Sequence, residues 1–196
     1  DTECLWEVLK TVPGWACINV AATLARALGE LIQTEMGVDV RYYGDVYYSL
    51  SQPVQCPNYT ISGATIVRRL TCGDLDLIHN ASEDIKADLH GQSMPWLNQL
   101  LTKGIVAAAI ASDTIVAIAQ TYAQSEYYAD IGVFTLADWR NQGLATATAA
   151  IVAQGIQETG RTPTWSTGED NYASMNVAEK LGFTEVSRRT YVIPQG

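Results

Sequence analysis

The stretch that most constrains this chain runs from Ile131 to Gln154, IGVFTLADWRNQGLATATAAIVAQ. It reads as an apolar strand, a short polar loop holding one arginine and one glycine, and a helix of small residues. A helix that opens just beyond a strand directs its unpaired N–H groups, and the positive end of its dipole, at whatever lies over the strand's end. Such a place collects anions, phosphates above all.

Composition sets the bounds for this unit. The chain has 196 residues, enough for one sizeable domain with an appendage or for two small ones. With 47 % hydrophobic and 17 % charged residues it has the makings of a packed core and not of a disordered chain. The run from Ile105 to Ala111 is too short to cross a bilayer, so no membrane span is expected. The sequence opens without a basic n-region and an apolar h-region, so no secretory signal is expected, and Cys4, Cys17, Cys56 and Cys72 show no C-x-x-C spacing, which reads as reduced thiols in a cytoplasmic protein without a metal. A net charge of −9 argues against nucleic acid, whose binders need a basic stripe. The acids either line a cleft for a cationic small molecule or form a solvated surface.

Taken in order, residues 3–11 predict a helix, Trp15 to Val20 a strand, and Ala21 to Glu35 a helix with Leu24, Ala27, Leu28, Leu31 and Ile32 on its buried face. Val38 to Leu50 reads as one or two strands, with Gly44-Asp45 as a turn or bulge. Residues 1–50 thus form a helix–strand–helix–strand extension, and the two prolines between Ser51 and Gly63 mark a linker. Beyond it come a strand (64–70), a short helix capped by Thr71 or by Gly73-Asp74, and helical pieces from Ser82 to Leu101 broken at Gly91 and Pro95. Residues 105–111 and 114–122 are strands apolar on both faces, joined by a tight Ser112-Asp113 hairpin, and they require helices on both sides of the sheet. Glu126 to Leu136 is the next strand. A helix from Gly143, a strand at 163–167, a helix capped by Asp170, and one last strand from Phe183 to Ile193 complete the order.

Arg140–Ala145, RNQGLA, fits the pattern Q/R-x-x-G-x-G/A, and Asn171, Ser174 and the run Glu179–Phe183, EKLGF, follow it in order. Together with the approach TLADWR, these segments resemble the GNAT superfamily of acyl-CoA-dependent N-acyltransferases over residues of about 65–193. The resemblance implies an α/β fold of the α+β type. Its sheet is mixed, mostly antiparallel and twisted, with helices on both faces.

It also implies acetyl-CoA as acyl donor. Backbone N–H groups from Asn141, Gln142, Gly143, Leu144, Ala145 and Thr146 would hold the pyrophosphate, with Arg140 adding charge unless it pairs with Asp138. Gly143 carries no Cβ to keep a diphosphate off the backbone. The pantetheine arm would lie along Val133, Phe134 and Thr135, and Asn171 and Ser174 belong to the second cofactor-contacting segment, although Asn171 also reads as a helix cap.

For chemistry, Asp130 and Glu126 are the acids on the central strand. Each is either the general base or a solvent-facing strand residue. The family's general-acid tyrosine corresponds to Ala178, a departure for which Tyr172 or Tyr191 would have to substitute unless the thiolate leaves unaided. Tyr42, Tyr43, Tyr47 and Tyr48 either border an acceptor pocket or pack. A single C-terminal strand leaves a sheet edge that a strand of residues 1–50 would cover.

The expected activity is N-acetyl transfer from acetyl-CoA to a primary amine of a small acceptor, cationic if the acids line its cleft, by a monomer or homodimer. The alternative is a coenzyme A-binding module without turnover, for which Ala178 is the motive.

Overall fold

The computed structural model describes residues 1–55, 65–89 and 94–195. The proposed linker beyond residue 55, the break at Gly91 and Cys56 lie outside the described residues. Seven helices, α1 (Thr2–Leu9), α2 (Ala22–Met36), α3 (Leu75–His79), α4 (Glu83–Asp88), α5 (Met94–Lys103), α6 (Leu144–Glu158) and α7 (Tyr172–Lys180), accompany eight strands among the described residues. The strands are β1 (Ile18–Ala21), β2 (Asp39–Ser49), β3 (Ile66–Arg69), β4 (Val106–Ala111), β5 (Thr114–Gln124), β6 (Tyr128–Thr135), β7 (Thr162–Gly168) and β8 (Thr184–Gln195). Their order in the sheet is β1-β8-β2-β7-β6-β5-β4-β3, mostly antiparallel, as the sequence leads one to expect.

The chain divides into two compact units. The first comprises Asp1–Tyr47, Ser166–Tyr172 and Glu185–Gly196, and the second Tyr48–Trp165 and Ala173–Thr184. The first unit therefore draws on three stretches that a reading in chain order separates.

In the first unit, Trp6, Val20, Ala25, Leu28, Ile32 and Val192 form the core. The strand predicted from Trp15 begins only at Ile18. Trp15 serves the core of α1 instead: its ring stands edge-on to Trp6 at 6.4 Å, and its indole N–H donates to the Leu9 carbonyl at 3.1 Å. The buried face of α2 is Ala25, Leu28, Gly29 and Ile32, leaving Leu24 and Ala27 exposed. The face turns because Gly29 is bare: the Tyr42 hydroxyl lies only 2.0 Å from where its Cβ would stand. Gly44 makes no turn, since β2 runs unbroken through it. The Glu169 carboxylate occupies the space of its missing Cβ, with atoms 2.3 to 2.5 Å from that point, so the glycine serves close approach.

In the second unit, β4 and β5 are buried on both faces, as their apolar runs predict. Leu70, Ile78, Ile85, Leu89, Leu97 and Ile118 pack beneath α3, α4 and α5 on one side, and Ala109, Val116, Ala117 and Leu144 pack with α6 on the other. Ser112 and Asp113 carry φ of 47° and 58°, the left-handed pair that a two-residue hairpin needs. Pro95 does not break a helix. It is the second residue of α5, in the first turn, where a missing N–H costs nothing.

Thr71 caps the 3-10 turn Cys72–Asp74 in a reciprocal box with Asp74, and Arg68 closes on the same carboxylate at 2.5 and 3.0 Å. The Arg68 guanidinium and the Thr71 groups hold the Asp74 carboxyl down to about 2. A depressed native pKa stabilises the fold above the ordinary carboxylate range, and that contribution fades as pH falls from about 4 toward 2. Asp74→Ala is expected to lose about 1–2 kcal/mol at pH 7, lowering the melting temperature by roughly 3–6 °C. Thermal melts of both proteins at pH 7 and pH 2.5 check this, the difference shrinking at the lower pH.

Candidate functional site

β6 is paired along both edges at its start and along one edge at its end. Towards β5 the antiparallel register runs on to Thr135, whereas towards β7 it comprises Tyr128↔Thr162, Ala129↔Pro163 and Asp130↔Thr164. Among the described residues, Ile131 to Thr135 have no β7 partner in register, so their outward N–H and C=O groups present an open strand edge. Such an edge takes an extended, amide-bearing ligand as an added strand. Val133, Phe134 and Thr135 lie along it, half-buried. The Thr135 hydroxyl oxygen is buried and has no hydrogen-bond partner.

Past Thr135 the chain is secured by the Leu136 N–H on the Val116 carbonyl at 3.0 Å, then turns through the 3-10 segment Ala137–Trp139. Arg140 reaches back, its Nε donating to the Thr135 carbonyl at 3.2 Å, which fixes the guanidinium beside the strand's end. Gln142 donates to the Asp138 carbonyl at 3.4 Å. Asn141 and Gly143 are both left-handed, with φ of 62° and 77°. The glycine is thus required by conformation as well as by the room it leaves.

α6 begins at Leu144 with no side-chain cap, its first intrahelical bond running from the Ala147 N–H to the Gly143 carbonyl at 2.9 Å. The N–H groups of Leu144, Ala145 and Thr146 precede that bond and are left for an acceptor outside the helix. Thr148 stiffens this turn by donating to the Leu144 and Ala145 carbonyls at 2.9 and 3.1 Å, a contribution the sequence reading omits. The strand edge beyond Asp130, the Arg140 side chain on the Thr135 carbonyl and the uncapped start of α6 follow one another along the chain.

The acids fare differently. Asp130 stands at the last registered β6–β7 pair, half-buried, and accepts the Thr164 hydroxyl at 3.1 Å. It sits where the two strands part. Glu126 is not on the strand. It occupies the exposed β5–β6 turn, closed by the Ser125 N–H on the Tyr128 carbonyl at 2.8 Å and by the Tyr128 N–H on the Ser125 hydroxyl at 3.1 Å. Those two bonds place it ahead of β6, away from the loop at the other end.

In the second motif, α7 starts at Tyr172, later than a cap at Asp170 would have it. Asn171 immediately precedes the helix, and its N–H donates to the Gly168 carbonyl at 3.0 Å. The Tyr172 side chain is 71 % exposed. Ser174 accepts the indole N–H of the buried Trp165 at 2.9 Å, so its hydroxyl ties α7 to β7. Ala178 is 0 % exposed, in the core with Leu181 and Phe183.

In the first unit, Tyr47 accepts the Asn19 side-chain amide at 2.9 Å and is held above its ordinary pKa by burial and by Tyr191. Burial and neighbouring Glu169 raise the Asp45 carboxyl, while the Tyr47 hydrogen bond opposes them. Tyr48 is buried, and Tyr42 and Tyr43 are partly exposed. Among the described residues no group of three or more His, Cys, Asp or Glu is arranged to hold a metal, and no helix is long and apolar enough to cross a membrane.

None of the curated proteins matches the chain in sequence. Among solved structures, a GCN5-related N-acetyltransferase-like protein from Streptococcus suis is similar with a TM-score of 0.64 and 20 % identity, over 87 % of this chain and 68 % of that one. A Drosophila protein superposes with a TM-score of 0.70 and 19 % identity, over 97 % and 66 % of the two chains. A GCN5-related N-acetyltransferase from Kribbella flavida gives 0.61 and 14 %, over 99 % and 74 %. This chain thus spans about two thirds of the length of the first two, and at these identities the likeness is one of fold. The sequence model of the GNAT acetyltransferase family matches residues 68–192, a span that contains the open strand edge, the loop and α7. The chain belongs to the GNAT acetyltransferase family.

Proposed function

We propose that this protein transfers an acetyl group from acetyl-CoA to a primary amine on a small acceptor. The observation that carries the reading is the track from the unpaired edge of β6 to the uncapped, left-handed Gly143 start of α6. Ile131 to Thr135 would bind the pantetheine arm as an added strand, and the N–H groups of Leu144 to Thr146 would take the pyrophosphate. Asn171 and Ser174 stand as cofactor contacts on the family resemblance.

The neutral amine attacks the thioester carbonyl, forming the amide C–N bond and breaking C–S, and the departing sulfur leaves as thiolate. The amine's surplus proton goes to Asp130, directly or through water. With Ala178 buried, no acid stands at the family's tyrosine position, and a coenzyme A thiolate leaves without one or takes its proton from Tyr172 or water. The acidic balance of the chain, −9, favours a cationic acceptor. The free, exposed thiols of Cys4, Cys17 and Cys72 suit a reducing, cytoplasmic setting.

The second reading, a coenzyme A-binding module without turnover, rests on Ala178. Thiol release from acetyl-CoA against polyamines, amino acids, aminoglycosides and peptide N-termini tests the choice. Release with at least one class supports the enzyme. Acetyl-CoA binding without release across all four supports the module.

A further inference from the structure

One polar side chain breaks the apolar run of β5. Gln120 follows the apolar run Ile115–Ala119, beside the buried Thr121, and it is 1 % exposed. Its Nε2 donates to the Asp88 carbonyl at the end of α4 at 2.9 Å, yet its Oε1 is buried and has no partner. A buried amide oxygen left without a donor carries an uncompensated desolvation penalty. That cost is recovered when a donor arrives.

The neighbours of Gln120 say where a donor would sit. In register it faces Gly132 of β6. A Cβ at Gly132 would meet Tyr122 at 3.5 and 3.6 Å and the Gln120 Cγ at 3.7 Å, all ordinary contacts, so there is room above this glycine for at least a methyl group. Tyr122 lies over the glycine, at the bulge of β5 between Thr121 and Ala123, and is itself exposed to solvent. Strand alternation puts Asp130, two residues earlier, on the same face as Gly132, roughly 7 Å along the strand.

We propose that the bare backbone of Gly132 is the floor of the amine-acceptor subsite, with the Gln120 Oε1 as a positioning acceptor for one amine N–H and Tyr122 as the outer wall. The inference rests on the acetyltransferase reading above. A neutral primary amine has two N–H groups and one lone pair. With one N–H on Gln120 and the other toward Asp130, the lone pair is left for the thioester carbonyl. An uncharged amide holds the amine without favouring its protonated, unreactive form, as a second carboxylate would.

The test is steady-state kinetics with acetyl-CoA and n-butylamine or spermidine as probe acceptors, alongside direct acetyl-CoA binding. Gly132→Ala adds a group the structure accommodates, and it is expected to raise the amine KM about fivefold to tenfold. Gln120→Met is expected to raise the amine KM by tenfold or more, and Gln120→Glu, which keeps an acceptor oxygen, to recover part of it. Unchanged amine KM in both Gly132→Ala and Gln120→Met, with acetyl-CoA binding and thiol release intact, overturns this assignment alone. Acetyl-CoA binding without thiol release in the unaltered protein overturns the acetyltransferase reading and this assignment with it.

Discussion

Gly143→Val is expected to weaken acetyl-CoA binding at least a hundredfold, about 3 kcal/mol, while the protein stays folded. Two effects combine. The residue at position 143 sits at φ 77°, a conformation that glycine adopts freely and a β-branched residue resists. A side chain there also stands between the anion and the N–H groups that begin α6. Gly143→Asn separates the two, since asparagine tolerates the left-handed region. Its helix start should survive, with binding still reduced by the added side chain. Calorimetric titration gives the affinities, and circular dichroism with a thermal melt confirms the fold.

The second large effect concerns Asp130. Asp130→Asn retains an oxygen for the Thr164 hydroxyl, which now donates at 3.1 Å, so the end of the β6–β7 ladder is expected to hold. What is lost is a base, and kcat should fall by about a hundredfold or more. The acetyl-CoA dissociation constant is expected to stay the same. A parallel loss of cofactor affinity would make Asp130 a structural residue of the strand fork. A full kcat would move the base to another group.

The strand–loop–helix was legible because its needs are local: an apolar run, a glycine for a positive φ, small residues for a helix over a sheet. The same locality made the Ser112-Asp113 hairpin and the doubly buried β4 and β5 readable. The structure departs from that reading where the reason for a residue is a tertiary contact or a side-chain hydrogen bond that no local pattern announces. Gly44 looked like a turn because its cause, the carboxylate of Glu169, is more than a hundred residues away. Trp15 looked like strand because nothing in its neighbourhood announces the Trp6 ring. Glu126 was assigned to β6 since the Ser125–Tyr128 turn is held by a serine hydroxyl and not by glycine or asparagine.

At the site, the left-handed glycine and the helix start could be read from spacing, whereas the parting of β6 from β7 is a property of two strands and has no signature in either. The orphan oxygens of Thr135 and Gln120 are likewise invisible in sequence, because whether a polar group finds a partner is decided by packing. Gln120, the first polar residue after the apolar run Ile115–Ala119, is the one sequence feature that marks the second of them.

The most direct test of the coenzyme A track is the perturbation of backbone amide signals by nuclear magnetic resonance as acetyl-CoA is added. The largest shifts are expected at Gly143, Leu144, Ala145 and Thr146, with a second set along Ile131 to Thr135. Shifts concentrated elsewhere, with these amides unmoved at saturation, would contradict the assignment of the site.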